Sequence, residues 1–352
     1  MKKFIHLFAL LLLSTVLCYA QNPYEKIDSI IQVMHKKNPE IGFSIGIIQN
    51  NQEYYSSYGT LDKESDIKIN KNSVFEIASI TKLVTANLLA QAVLENKIEL
   101  DDYIDAYLPE HYKLNDAIKH KIKISDLASH QSGLDDVDFG TLIAKNPQQP
   151  ITELSQDDLT ALVNNCNQLK DYGTYRYSTI GYVLLGDILE KSYGKSYNTI
   201  VHEKLITPYQ LTNTFTKDFN VPNLTSSYNP DGGKQEFFEW HTAASAGLIK
   251  SSSSDMVTFL KAILNTETNV GIAAQLCEKI YYQNGDRIIG LGTNISQDGS
   301  QILYLKTGDT LGQSSILCYN REKNWGVIIL LDHWNPKMRM DILNMISKAL
   351  MK

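Results

Sequence analysis

The sequence predicts a mixed α/β (α+β) fold, with helices flanking an antiparallel sheet and a second, mostly helical lobe beside it. β-rich runs lie near both ends of the chain, which indicates one sheet assembled from sequence-distant pieces. Between them lies a helical middle, in which apolar residues recur at intervals of three and four. A ligand site is therefore expected in the cleft between the two lobes.

The 352 residues have the composition of an ordinary globular protein. With 43% hydrophobic and 20% charged residues, the disordered, collagenous and disulfide-stapled classes are excluded. The balance of 33 basic and 39 acidic residues gives a net charge of -6, which argues against binding of a nucleic-acid backbone. No block of like charges is available for a membrane surface either.

The first twenty residues predict a secretory signal. Two lysines precede the apolar run Leu7–Leu17, and small residues, Cys18 and Ala20, occupy the cleavage positions. No other stretch approaches the length of a transmembrane helix. We therefore expect a mature chain that begins at Gln21 and is exported, to the periplasm or as a secreted protein. Residues 21–352 then form one folded unit, with a sheet lobe at about 21–75 and 243–352 and a helical lobe at about 76–242.

The predicted elements follow the hydrophobic periodicity and its turn signals. Two β-rich runs within residues 42–58 flank Asn50-Asn51, which predicts a hairpin. A long helix is predicted from about Ser79 to Asn96. Asn96-Lys97 indicates that this helix ends in a left-handed residue. Further helices are predicted at Thr152–Asn165, Ile180–Ser192, Ser254–Leu264 and Met338–Met351. Further strands are predicted at Arg287–Ile295, Gln301–Leu305, Ser314–Tyr319 and Gly326–Leu331.

Cysteine and histidine residues indicate no metal chemistry. After the signal the chain keeps Cys166, Cys277 and Cys318, a scattered set without paired spacing, and the histidines show no metal-ligand spacing. Cys318 lies in a strand-like run and is expected to be a small core residue. No metal and no organic cofactor are implied.

Ser79-Ile80-Thr81-Lys82 places a hydroxyl and an amine on one face at a predicted helix start. A serine is a weak nucleophile until a base removes its proton, and a desolvated lysine with a lowered pKa can be that base. The spacing alone is weak evidence, because Ser65–Lys68 and Ser192–Lys195 repeat it at what we interpret as surface positions. Ser79 differs in its setting, between an apolar strand end and a long helix.

Two further motifs could serve this nucleophile. Lys306-Thr307-Gly308 closes a predicted strand, where the lysine can offer charge and the glycine lets a substrate approach, although alone it is better explained as a solvated lysine before a turn. Tyr177-Ser178-Thr179 precedes a predicted helix, and a tyrosine flanked by two lysines can act as a general base. Tyr282-Gln283-Asn284 is a competing tyrosine motif, which its neighbouring Asn-Gly turn explains as part of a hairpin.

In this order, Ser-x-x-Lys, Tyr-x-Thr and Lys-Thr-Gly resemble the signatures of the serine β-lactamase and penicillin-binding-protein superfamily. Similarity to its class C and β-lactamase-related serine hydrolase branch extends from about Ile41 to Leu331. The stretches that carry it are Phe75–Lys82, Leu127–Leu134, Tyr177–Gly186 and Ala243–Met256. The resemblance implies a β-lactamase/transpeptidase-like fold. No Ser-Asp-Asn motif is present, which disfavours the class A β-lactamases.

The resemblance also implies a role for each motif residue. Ser79 is expected to be the acylated nucleophile, with Lys82 and Tyr177 as its proton-transfer partners. Lys306 is expected to supply positive charge beside Tyr177 and toward a substrate carboxylate. The oxyanion hole is expected to be the backbone N–H groups of Ser79 and Asp309. The residues expected to contact substrate are Thr179, Thr307, Gly308 and Asp309.

Two positions depart from the family's pattern. Thr179 stands where the tyrosine motif usually ends in Asn, and its hydroxyl offers fewer hydrogen bonds at a shorter reach, which disfavours efficient β-lactam turnover. Asp309 stands where related hydrolases often carry a small residue. Its carboxylate either repels anionic substrates or points away along the strand. His130 and Ser132, in the Leu127–Leu134 stretch, are interpreted as loop-shaping hydrogen bonders.

We therefore expect an exported serine hydrolase that forms an acyl-enzyme on Ser79 with a D-amino-acid peptide, an ester or a β-lactam. Peptides and esters are favoured, the partner is a small-molecule or peptide substrate, and the oligomeric state is left open. The alternative is a penicillin- or peptide-binding paralogue without turnover. The intact set of motif residues argues against that alternative.

The N-terminus of the exported protein tests the predicted signal. Mass spectrometry is expected to show a chain that begins at Gln21. The rival is lipoprotein processing at Cys18, which is disfavoured because Leu17 is bulky where that signal requires a small residue. A diacylated Cys18 would show that cleavage does not follow Ala20.

Overall fold

The computed structural model describes residues 23–299 and 301–351, so the predicted signal and Gln21 lie outside the described residues. An antiparallel sheet of eight strands runs in the order β2-β1-β12-β11-β10-β9-β8-β7. The strands are β1 Phe43–Gln49, β2 Gln52–Tyr58, β3 Val74–Glu76, β4 Ser227–Tyr228, β5 Lys234–Gln235, β6 Lys250–Ser252, β7 Tyr282–Asn284, β8 Arg287–Ile289, β9 Asn294–Asp298, β10 Gln301–Asp309, β11 Ser314–Asn320 and β12 Trp325–Leu331. Since β1 pairs with β12, the two ends of the chain share one sheet, as predicted.

Helices cover both faces of this sheet. They are α1 Pro23–Lys37, α2 Ile80–Leu94, α3 Ile124–Ala128, α4 Phe139–Lys145, α5 Gln156–Asn164, α6 Ile180–Tyr193, α7 Tyr197–Val201, α8 Thr207–Tyr209, α9 Ala244–Gly247, α10 Ser253–Leu264, α11 Asn269–Cys277 and α12 Pro336–Leu350. One apolar core joins α1 and α12 to a sheet face, and a larger one joins the other face to α2, α6 and α10. None of the described helices is both long and apolar enough to cross a bilayer.

Several predicted turns are confirmed by backbone geometry. Asn50 and Asn51 both have positive φ, at 48° and 66°, as a tight hairpin between twisted strands requires. Asn96 has φ 56° shortly after α2 ends, which confirms its left-handed stop. Cys318 is fully buried in the sheet, as expected of a core residue.

Three predicted elements are wrong in their bounds. The strand Arg287–Ile295 is broken between β8 and β9, where Gly292 has φ 67° and packs so closely on α2 that a Cβ would lie 2.6 Å from Ala86 Cβ. The helix predicted from Thr152 begins at Gln156, because Ser155 caps it. β10 continues past Leu305 to Asp309, because its pairing with β11 extends that far. Lys306-Thr307-Gly308 therefore lies inside a strand and not before a turn.

A short antiparallel ribbon, β3 with β6, positions the chain that enters α2. Glu76 and Lys250 are register partners, and Lys250 Nζ donates to Glu76 Oε1 at 2.9 Å. Both side chains are 2% exposed, so the ion pair is fully desolvated. The same carboxylate oxygen accepts the Phe238 N–H at 2.9 Å, and the Glu76 N–H donates to Gln313 Oε1 at 2.7 Å. Contacts with Lys250, Phe238 and Gln313 therefore hold the segment that precedes Ser79 in place.

Lys250→Met tests the structural weight of this ion pair. The substitution leaves the Glu76 carboxylate buried without its cation, so the free energy of unfolding should fall by about 3–5 kcal/mol. The matched control is the double variant Glu76→Gln/Lys250→Met, which removes both charges and should recover much of the loss. Urea denaturation measures all three proteins. A single variant within about 1 kcal/mol of wild type would show that the pair does not fix this segment.

Candidate active site

Ser79 lies at the N-terminus of α2, where β3 turns into the helix. Ala78 before it has φ 47°, a left-handed conformation that is unfavourable for a residue with a Cβ. Ser79 occupies the N-cap position, but its hydroxyl makes no capping hydrogen bond. Its Oγ instead accepts from the Tyr177 hydroxyl at 2.7 Å and from Lys82 Nζ at 3.4 Å. Three predicted site residues therefore meet at one oxygen.

Lys82 is buried because nearly all of α2 is buried, including its first turn. Its Nζ donates to the Ala246 carbonyl at 2.8 Å, which aims the amine at the start of the helix. Burial lowers the pKa of Lys82 to about 7, against an opposing attraction from Asp136. A substantial fraction of the molecules therefore carries a neutral Lys82 amine at neutral pH, and that amine is able to accept a proton.

Lys306 reaches Tyr177 from a different element, β10. Its Nζ lies 4.8 Å from the centroid of the Tyr177 ring, and Lys82 Nζ lies 5.1 Å from it. Burial lowers the pKa of Lys306, and the positive charge of Lys82 lowers it further, while Tyr177 opposes both. Tyr177 itself is 43% exposed. Two buried amines thus lie close to a ring that remains partly exposed.

Gly308 allows β10 to pass directly beside the nucleophile. A Cβ at this position would lie 2.2 Å from the Ile77 carbonyl oxygen and 3.1 Å from Ser79 N, so any side chain would force the two segments apart. Pairing of β9 with β10 ends at Leu305, and beyond it no described strand pairs with that edge of β10. The strand end is therefore available to a ligand beside Ser79.

Asp309 does not project into the cleft, which settles the two alternatives left by the sequence. Its carboxylate oxygens each accept from Arg339 Nη1 at 2.8 Å, and one accepts from Ser314 Oγ at 2.8 Å. The same guanidinium donates to the Gly308 carbonyl at 3.1 Å. Arg339 lies on α12, so the carboxylate is paired and directed toward that helix. No local sequence signal marks Arg339, because its partners lie on another element.

The two other expected substrate contacts are placed differently. Thr307 alternates with Lys306 along β10, so its side chain lies on the opposite face of the strand from the lysine. Thr179 is 2% exposed at the start of α6, and its backbone N–H donates to Asp136 at 2.8 Å. Asp136 also accepts the Ile180 N–H at 2.8 Å. The Asp136 carboxylate therefore stabilises the N-terminus of α6 from a distant part of the chain, and no local sequence signal marks it.

The competing motifs lie outside this site. Ser192 Oγ donates to the Ile188 carbonyl within its own helix, and Ser65 lies in a turn closed by the Asp62 carbonyl. Tyr282 pairs with Ile289 in the predicted hairpin. Among the described residues, no group of three or more His, Cys, Asp or Glu side chains could hold a metal ion.

Comparison with known proteins agrees with this geometry. The family model described as Beta-lactamase matches residues 27–349, nearly the whole chain. The chain belongs to the beta-lactamase family of serine hydrolases. It is 22% identical to a Beta-lactamase of Providencia stuartii, over 89% of this chain and 87% of that protein. It is 24% identical to Protein flp of Staphylococcus aureus, over 87% of this chain and 62% of that protein.

Solved structures show the same fold. A class C beta-lactamase superposes with a TM-score of 0.80 at 21% identity, covering 93% of this chain and 96% of that one. A beta-lactamase/D-alanine carboxypeptidase from Pseudomonas syringae gives a TM-score of 0.81 at 20% identity, covering 93% and 98%. The family and the fold expected from the motifs are thereby confirmed.

Tyr177→Phe tests whether the phenol takes part in proton transfer. The variant keeps the ring beside the two lysines but removes the oxygen that contacts Ser79. General acid–base groups contribute about 10²–10⁴-fold, so the acylation rate should fall within that range. Thermal stability should change little. Tyr175→Phe is the matched control, since it keeps the ring and removes a hydroxyl whose hydrogen-bond partner is Arg287. A Tyr177→Phe enzyme within about threefold of wild type would exclude the phenol from the reaction.

Proposed function

We propose that this chain is an exported serine hydrolase that forms an acyl-enzyme on Ser79 with an ester or amide substrate. The observation that carries the proposal is the convergence of the Tyr177 hydroxyl and Lys82 Nζ on Ser79 Oγ, at 2.7 and 3.4 Å. Membership of the beta-lactamase family supports the same reaction class. Export is supported by the predicted signal alone.

The first step is attack by Ser79. As Oγ bonds to the substrate carbonyl carbon, the serine proton passes to the neutral amine of Lys82, either directly or through Tyr177, whose phenol gives its own proton to that amine and takes the serine proton in exchange. Negative charge that develops on the phenol oxygen during this transfer is stabilised by Lys82 and Lys306, whose buried side chains place their Nζ atoms beside the Tyr177 ring. Ser79 Oγ thus lies within reach of a proton acceptor, and two lysines lie close enough to balance the charge that the transfer creates.

The carbonyl electrons move to the substrate oxygen in the same step. We assign the oxyanion donors to the backbone N–H groups of Ser79 and Asp309, which the close approach at Gly308 holds near each other. Collapse of this intermediate breaks the bond to the leaving group, which takes the proton from the same residues. Water then attacks the acyl-enzyme, and Ser79 recovers its proton as the acid product leaves.

The substrate class follows from Thr179 and Lys306. Thr179 is almost fully buried and has a short hydroxyl arm, so it is a poor partner for an acylamide side chain. This favours esters and D-amino-acid peptides over β-lactams. Lys306 offers positive charge toward a substrate carboxylate from inside the cleft. The name of the Pseudomonas syringae protein, a beta-lactamase/D-alanine carboxypeptidase, supports keeping both substrate classes in the assay.

Activity profiling of the purified mature chain tests this proposal. It should be assayed against short acyl esters, D-Ala-D-Ala peptides and a chromogenic cephalosporin, with a fluorophosphonate probe to mark the nucleophile. We expect turnover of an ester or peptide and probe labelling, both lost in Ser79→Ala. Ser192→Ala is the matched control, because it repeats the Ser-x-x-Lys spacing outside the site. Labelling that survives in Ser79→Ala would refute the assignment. Labelling without turnover of any substrate would identify a binding paralogue instead.

Thr179→Asn tests the basis of substrate choice. Restoring an amide at this position adds donor and acceptor groups at a longer reach, so β-lactam hydrolysis should rise relative to ester hydrolysis. The measurement is the ratio of kcat/KM for a cephalosporin to that for an ester. Thr179→Val serves as a control that keeps the shape and lacks the hydroxyl. An unchanged ratio in Thr179→Asn would mean that this position does not select the substrate.

A further inference from the structure

His130 occupies an unusual place directly behind Tyr177. It is buried and adopts φ 63°, a left-handed conformation uncommon for a residue with a side chain. Its imidazole ring lies 4.6 Å from the Tyr177 ring, centroid to centroid, and 5.3 Å from that of Tyr182. The Tyr175 ring meets it edge-on at 5.7 Å. Three tyrosines therefore enclose this one histidine.

Two hydrogen bonds tie His130 to the chain on both sides of Tyr177. Its backbone carbonyl accepts the Arg176 N–H at 2.8 Å, and its ring Nδ1 accepts the Ser178 N–H at 3.1 Å. An Nδ1 that accepts a hydrogen bond carries no proton, so the neutral ring bears its proton on Nε2. That nitrogen is buried without a hydrogen-bond partner among the described groups. Among the described groups, the hydrogen bond of this ring is thus made to the segment that carries Tyr177.

The environment of His130, which includes Lys306 and Lys82, favours its neutral form. Burial, reinforced by the positive charges of Lys306 and Lys82, holds the pKa of His130 well below its usual range, against the Ser178 hydrogen bond. A protonated imidazole would lose the Ser178 contact, because both ring nitrogens would then be donors. The neutral ring instead supplies an acceptor and a flat packing surface.

We propose that His130 is a positioning residue for the reaction: it holds Tyr177 so that the phenol reaches Ser79 without adding a third cation to the site. This inference rests on the proposed function. Without the ring, residues 176–178 lose one of their two hydrogen bonds to His130 and the packing behind Tyr177. The 2.7 Å contact between the phenol and Ser79 Oγ should then lengthen. A displacement of about 1 Å can cost about a hundredfold in rate.

Two variants separate the contributions of the ring and its acceptor nitrogen. His130→Gly tolerates the positive φ but removes both, and should slow acylation of Ser79 by about a hundredfold while leaving the Kd for substrate within about threefold. His130→Asn also tolerates this φ and offers an amide oxygen in place of Nδ1, so it should lose only about three- to tenfold through the missing ring contact. His35→Asn is the matched control, since His35 stacks on Tyr58 at 4.4 Å, away from the site.

A double-mutant cycle with Tyr177→Phe distinguishes positioning from a general structural role. If His130 acts through the phenol, His130→Gly should have no further effect, within about twofold, once that phenol is absent. If His130→Gly fails to fold, the cycle is run with His130→Asn. Losses that add in the double variant, or a His130→Gly enzyme within about threefold of wild type, would overturn the inference. Those results require a wild-type enzyme that is acylated at Ser79, so failure of the proposed function itself would be seen first and separately.

Discussion

Two buried lysine side chains packed against one tyrosine ring are the constraint on which the site depends. The Nζ atoms of Lys82 and Lys306 lie 5.1 and 4.8 Å from the centroid of the Tyr177 ring. An ammonium group is costly to bury, and two close together are costlier, so both amines have a lowered pKa. The site therefore contains a proton acceptor at neutral pH, although a lysine in water would be charged.

The surrounding fold can be understood as the support for this arrangement. The buried helix α2 carries Lys82, and the Ala246 carbonyl orients its amine. β10 carries Lys306 and passes the nucleophile at Gly308, while Arg339 anchors the end of that strand through Asp309. The Glu76–Lys250 ion pair fixes the chain just before Ser79. These contacts come from different elements, so the geometry at Ser79 depends on how those elements pack together.

Features set by single residues could be predicted from the sequence, whereas most contacts between distant elements could not. Hairpin and helix-stop signals at Asn51 and Asn96 depend on single residues, and the structure confirms them. The extent of β10 depends on its pairing with β11, which no local pattern near Lys306 indicates. The roles of Arg339 and Asp136 depend on partners on other elements, so spacing could not find them. The order of the three motifs did predict that Lys82 and Tyr177 meet at Ser79, because it was compared with a known family and not with local periodicity.

The titration of the Lys82 amine tests the central claim most directly. In protein labelled with ¹⁵N on lysine side chains, the Nζ resonance of Lys82 can be assigned by its loss in Lys82→Arg and followed with pH. The account predicts a midpoint at about 7, because burial disfavours the charged form. A midpoint near the ordinary value of 10.5 would leave the amine protonated at neutral pH. It could then not accept the proton of Ser79, and the proposed activation would be contradicted.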